Sequence, residues 1–133
     1  MIDEQECDCG SGKSFTECCG PILAGKKVAE SAEALMRSRY CAFKRKNESY
    51  LLASWANETR PESIEFTPDL EWVKLQINGR KMGRKKDSEG WVTFVAHYRM
   101  GQSGLTGYLH EKSYFRKEAD GLWRYVDGEV KSS

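Results

Sequence analysis

Residues 90–117, GWVTFVAHYRMGQSGLTGYLHEKSYFRK, decide the fold. Apolar and polar side chains alternate on both sides of Gly101-Gln102-Ser103-Gly104, a turn-forming tetrad. Period-two alternation around such a turn predicts an antiparallel hairpin. If Met100 pairs with Leu105, then Tyr98 faces Gly107, Ala96 faces Leu109 and Phe94 faces Glu111. Phe94, Ala96, Tyr98, Leu109, Glu111, Ser113 and Phe115 then share the core face. His97, Arg99, Tyr108, His110, Lys112 and Arg116 share the other, where the two histidines read as surface residues. A slip of one residue inverts the whole assignment, because the side-chain period is two.

The same periodicity extends outward from this hairpin. Strands are expected over about 71–79, 90–100, 105–117 and 122–127. The connection at 79–90 is rich in glycine and basic residues. Upstream, the pattern is helical. Ser31 can cap a helix to Lys46 whose Ala32, Leu35, Met36, Arg39, Tyr40 and Phe43 fall on one face. Asn47 can cap a second, shorter helix carrying Tyr50, Leu51, Leu52 and Trp55. Pro61 and Pro68 mark an irregular connection. Two helices followed by a four-stranded meander predict an α+β domain with the helices packed on one face of the sheet.

Residues 1–21 differ from the rest. They carry four of the five cysteines and no hydrophobic periodicity. The pattern is Cys-x-Cys, eight residues, then Cys-Cys: Cys7, Cys9, Cys18 and Cys19. Four thiolates suit a tetrahedral zinc ion and leave it no open position, so the site predicted is structural, with one ion. Gly10 and Gly12 permit the tight turns such a loop needs. Lys13 adds positive charge near the thiolates, and Phe15 can cover one side. Paired disulfides and an iron–sulfur cluster are competing readings. A reducing compartment disfavours the first, and cluster spacings differ from this one. The GSGKS run imitates a phosphate-binding loop, but the first glycine of that motif falls at Cys7 and no strand precedes it.

With 21 basic and 20 acidic residues, charge gives no global pull toward nucleic acid or anionic lipid. No apolar run is long enough to span a bilayer. The acidic, polar N-terminus is unlike a secretory signal, so a cytoplasmic protein without membrane contact is expected. Arg80, Lys81, Arg84, Lys85 and Lys86 form a basic run, read as a solvated hairpin tip or, alternatively, an RNA contact. Cys41 reads as a small, partly buried helix residue. Glu111, acidic on an apolar face, needs a partner, and Arg39 of the covering helix is the expected one. The alternative is a carboxylate in a cavity with Arg39 and Tyr98, serving a small ligand or an enzymatic reaction.

CDCGSGKSFTECCG, residues 7–20, resembles the SEC-C motif, the small zinc-binding element at the C-terminus of the SecA translocation ATPase. EALMRSRYCAF at 33–43, YLLASW at 50–55, LHEKSYF at 109–115 and LWRYVDG at 122–128 resemble the YchJ-like bacterial proteins. The resemblance implies a SEC-C knuckle over 1–21 joined to a cone-shaped α+β domain over 22–133, similar to nuclear transport factor two. In such cones helices cover the concave face of a curved sheet. It also implies, by analogy with SecA, a non-enzymatic adaptor. Lys13 and Phe15 would then meet a protein partner such as a secretion chaperone or the ribosome.

Overall fold

Caps set the helices in place. The structure is a computed structural model that describes residues 6–130; residues 1–5 and 131–133 of the two expected units lie outside the described residues. The Ser31 hydroxyl accepts from the Ala34 amide at 3.0 Å and opens α2, Ala32–Lys44. Asn47 Oδ1 accepts from the Tyr50 amide at 3.1 Å and opens α3, Glu48–Ala53. Each cap satisfies a first-turn amide that has no helical partner. Before them, Phe15–Glu17 forms a 3-10 turn and Cys19–Leu23 a short α1. Pro21 sits inside α1, within the first turn, where its missing N–H costs nothing.

Four strands follow: β1 (Leu70–Met82), β2 (Glu89–Met100), β3 (Thr106–Lys117) and β4 (Trp123–Val130). They form one antiparallel meander in the order β1-β2-β3-β4. The hairpin register is the one read from the sequence. Tyr98 pairs with Gly107, Ala96 with Leu109 and Phe94 with Glu111, and the Met100 amide donates to the Leu105 carbonyl at 2.8 Å. Val92, Phe94, Ala96, Ser113 and Phe115 are buried on the helix-facing side. α2 packs against this face, contacting β1, β2 and β4.

β1 departs from simple alternation. Extra residues interrupt its pairing with β2 at Val73 and Asn78. Each bulge shifts the side-chain parity, so Trp72 and Leu75 both turn inward although three residues apart. β1 also runs three residues further than expected. Arg80 and Lys81 are therefore strand residues, not part of the loop. Arg80 pairs with Glu33 of α2, Lys85 with Glu30 at 3.6 Å, and Arg84 with Asp87 at 3.7 Å. The Lys81 ammonium stands 5.3 Å from the Trp91 ring. Much of the basic run thus already has partners within the chain.

The β1–β2 turn is locked by two glycines. Gly83 has φ +80°, its amide donates to the Glu89 carbonyl, and its carbonyl accepts from the Ala32 amide at the start of α2. A Cβ on Gly90 would strike the Gly83 backbone. Gly90→Ala is therefore expected to destabilise the chain by about 2–3 kcal/mol through forced backbone displacement. Urea unfolding measures this directly, and a cost below half of that would mean the turn yields freely.

Candidate metal centre and cavity

The knuckle folds by short-range backbone bonds. The Cys7 amide donates to the Lys13 carbonyl at 2.8 Å, and the Gly10 amide to the Cys7 carbonyl at 3.1 Å. Gly10 and Gly12 take φ +80° and +87°, which side-chain-bearing residues resist. The 3-10 turn then presents Cys18, and α1 begins at Cys19. The four sulfurs all lie within 4.8 Å of one another. Cys9–Cys18 is 3.6 Å and Cys18–Cys19 is 3.9 Å. A tetrahedron with zinc–thiolate bonds of about 2.3 Å has edges of about 3.8 Å, so the donor set fits a metal ion. Cys7, Cys9 and Cys19 are buried, and Cys18 is half-buried with the Ser11 hydroxyl 3.2 Å away. As bare thiols they compete for protons. Hydrogen bonds from Cys19 and Cys41 push the Cys9 thiol down, and bonds to Cys41 and Cys9 push Cys19 up. A bound cation would replace that proton sharing.

One row of α2 seats the knuckle. Arg37 Nη1 donates to the Cys9 carbonyl at 2.6 Å. One turn on, Cys41 Sγ lies 3.6 Å from Cys7 Sγ. A further turn on, Arg45 lies 3.5 Å from Asp8 and its guanidinium covers the Phe15 ring at 3.8 Å. Positions 37, 41 and 45 share one stripe of the helix, set off from the sheet-facing residues. Cys41 is fully buried here, where the sequence reading expected it to be partly buried. Its spacing of four from two arginines is the one sequence signal that points to this role. Phe15 is likewise packed against the core beneath Arg45, while Lys13 is exposed.

A second feature lies between the helices and the sheet. A cavity of about 200 Å³ opens there, bounded by Arg39, Tyr40, Trp55, Trp72, Glu111 and Tyr125 among others. Arg39 is 3% exposed, yet no carboxylate pairs with it among the described residues. Its Nη1 donates to the Leu51 carbonyl at 2.9 Å and to Ser54 Oγ at 2.7 Å. Its guanidinium carbon lies 4.9 Å from the Trp55 ring centre and 4.6 Å from that of Tyr125. Burial pushes its pKa down to about 10.

The expected Arg39–Glu111 ion pair is therefore not made. Glu111 accepts from Ser113 Oγ at 2.7 Å, two residues along the same face of β3, and its carboxylate occupies the space above Gly128. Arg39 instead reaches the C-terminal end of α3, where carbonyls lack helical donors. Tyr98, expected in the cavity, is not among its lining residues. Its ring packs edge-on to Trp72 at 5.8 Å and its hydroxyl lies over Gly107. Trp72, turned inward beside the β1 bulge, takes that place on the wall. The Tyr40 hydroxyl and Trp55 Nε1 are buried without a hydrogen-bond partner among the described residues. Burial, then the Glu111 charge, raises the Tyr125 pKa to about 12. His97 stacks at 6.2 Å on Tyr108 on the outer face, away from the cavity.

A cysteine knuckle seated on the helical layer of a cone-like α+β domain defines a class in which SEC-C-type elements accompany folds similar to nuclear transport factor two. A family model described as the YchJ middle NTF2-like domain matches residues 31–128, and the chain belongs to this YchJ-like family. A UPF0225 protein of Streptomyces coelicolor is 44% identical over 123 residues, covering 92% of this chain and 94% of the relative. Another from Chromobacterium violaceum is 41% identical over 128 residues, covering 93% and 92%. The solution structure of a SEC-C motif containing protein from Rhodopseudomonas palustris superposes with TM-score 0.83 at 36% identity. The match covers 96% of this chain and 100% of that one. The crystal structure of a SEC-C motif containing protein from Psychrobacter arcticus shares the fold, with TM-score 0.74 at 21% identity over 99% and 85% of the two chains.

Proposed function

We propose that this chain is a zinc-binding protein whose knuckle is structural and whose cone domain binds a small organic ligand. Zinc is the ion because four thiolates, with no oxygen or imidazole donor, form the preferred closed zinc site. Clustered thiols of this kind belong in a reducing compartment, which supports a cytoplasmic location. No helix among the described residues is long and apolar enough to cross a membrane.

The ligand reading is carried by one observation: a buried Arg39 without a carboxylate partner among the described residues shares a cavity with Glu111, which pairs with no arginine among them. A cation held in aromatic walls favours an anionic oxygen on the ligand. Glu111, across the same cavity, favours a hydrogen-bond donor. The matching chemistry is a small amino or hydroxy acid with an apolar body. A cavity of about 200 Å³ accommodates something somewhat larger than benzene, which occupies engineered cavities of about 150 Å³. Titration of ¹⁵N-labelled protein with aromatic and branched amino and hydroxy acids is expected to shift amides of α2 and β3 saturably. Glu111→Gln should weaken the effect for amino acids by about tenfold through loss of a charge-assisted bond. If no member of the panel moves those amides, the ligand reading falls.

The adaptor reading has narrower support. The knuckle loop leaves Gly12, Lys13, Thr16 and Glu17 exposed, so Lys13 remains available to a partner while Phe15 is already packed. A pull-down in which Lys13→Glu and a quadruple Cys→Ser variant keep every partner would remove it.

A further inference from the structure

The outer face of the sheet, opposite the helices, carries a pattern that neither the knuckle nor the cavity uses. Val92, Phe94 and Ala96 of β2 and Ser113 and Phe115 of β3 are buried on the helix side, so the residues alternating with them face outward. Lys81 pairs with Trp91, and Trp91 with Tyr114. Lys74 pairs with His97, and His97 with Tyr108. Directly opposed residues share a face. The sheet therefore repeats one row twice: a lysine on β1, a flat ring on β2 and a tyrosine on β3. The Trp91 and Tyr114 ring centres are 5.2 Å apart and inclined by 35°, and those of His97 and Tyr108 are 6.2 Å apart. The Tyr114 hydroxyl donates to Glu89 at 2.9 Å, which holds its ring in place. Tyr108 is 52% exposed and lines an open groove with Lys74 and His97. Along β2 the two rows are about 20 Å apart at the rise of an antiparallel strand.

Charge on this face is divided. Lys74 and Lys81 have no carboxylate partner among the described residues. Lys112 stands between the two tyrosines on β3. Asp127 and Glu129 stand on β4, beyond the rings, and Glu71 at the end of β1 is taken up by Arg99 at 2.6 Å. The anionic groups of a ligand therefore belong beside β1, and its flat groups over β2 and β3. Single-stranded nucleic acid presents both, phosphates on one edge and unstacked bases on the other. A duplex keeps its base faces hidden. We propose that this face binds single-stranded nucleic acid, with bases on the Trp91–Tyr114 and His97–Tyr108 rings and phosphates at Lys74 and Lys81. The span between rows suits a site of about four nucleotides or somewhat more, the low end of single-strand site sizes. The basic 84–86 tip is not part of it. The zinc and cavity readings can each fail without touching this one.

Fluorescence anisotropy of labelled twelve-residue oligo(U) and oligo(dT), titrated with the full-length protein at several salt concentrations, tests it. Binding of either strand is expected, and comparing the two tells whether the ligand is RNA or DNA. Each phosphate contact should add about −0.7 to the slope of log K against log salt, so two lysines give about −1.4. Tyr108→Ala should weaken binding by roughly five- to a hundredfold through the lost stack. Lys74→Ala should flatten the slope by about 0.7. Both positions are on the surface, and circular dichroism checks that the variants fold. A triple Arg84→Ala/Lys85→Ala/Lys86→Ala variant should bind like wild type. No anisotropy change at about 100 μM protein, the weak end of non-specific affinities, overturns the proposal. So does binding that survives Tyr108→Ala and Lys74→Ala unchanged, or that is lost in the triple variant. Light scattering covers the remaining occupant: a dimer that Tyr108→Ala dissociates would assign the face to a second copy of the chain and overturn the nucleic-acid proposal.

Discussion

Substituting Cys19 by serine should destabilise the entire chain, not the knuckle alone. Cys19 is 1% exposed and belongs to one buried cluster with Leu35, Met36 and Tyr40 of α2 and with Val92 and Phe94 of the sheet. On the zinc reading proposed above, losing the ion removes what orders the knuckle over residues 7–19. The buried side of α2 around Cys41 then loses its cover. Structural zinc in small finger peptides contributes roughly 10–16 kcal/mol of apparent binding energy, and much of it is spent on ordering the peptide. A global loss of about 3 kcal/mol is a moderate share of that. For a chain of this size it corresponds to a fall in Tm of about 10 °C. Adding a strong chelator to the wild-type protein should produce a similar fall. Hydrogen exchange distinguishes the outcomes. Amides of α2 should lose protection together with those of the knuckle. If only the knuckle amides exchange faster and Tm stays put, the knuckle is an independent appendage.

Arg39 should show the second large effect, and its size depends on the replacement. Arg39→Ala removes a buried side chain that fastens α2 to the end of α3 and fills the space between Trp55 and Tyr125. Charge-assisted bonds contribute roughly 1.5–3 kcal/mol each, and desolvated cation–π contacts about 2 kcal/mol. Relief of the buried charge offsets part of this, so a net loss of about 3 kcal/mol is expected. Arg39→Met keeps most of the volume and removes the charge. The Leu51 carbonyl remains served by the Ser54 hydroxyl at 3.2 Å, so no acceptor is orphaned. The methionine variant should therefore stay within about 1 kcal/mol of wild type. It should nonetheless lose the carboxylate ligand proposed for the cavity. Equilibrium denaturation of both variants, beside the amide titration, separates a residue that holds the fold from one that holds a ligand. Equal losses for alanine and methionine would mean that the charge itself stabilises the fold.

Short-range features of the fold are legible in the sequence. Ser31 and Asn47 cap the helices predicted for them, because capping depends only on a side chain and an amide three residues on. The 101–104 turn sets the hairpin register, because a tight turn leaves its flanking strands little freedom. Alternation fails in β1, where the bulges at Val73 and Asn78 change the parity. A bulge inserts a residue for the sake of sheet curvature, and curvature is not written in local hydropathy.

The partners of charged groups are not legible in sequence, for a related reason. Arg39 and Glu111 do lie on facing surfaces, as the periodicities require, but facing surfaces leave several ångströms to be allotted. Ser113 and the end of α3 take those contacts instead. The cysteine spacing by itself determined the knuckle, since four thiols within thirteen residues can reach one ion without help from the rest of the chain. Only the tertiary structure decided that a fifth thiol joins them. Cys41 lies 34 residues from Cys7 in sequence, and a contact at that range exists only once α2 has docked against the knuckle.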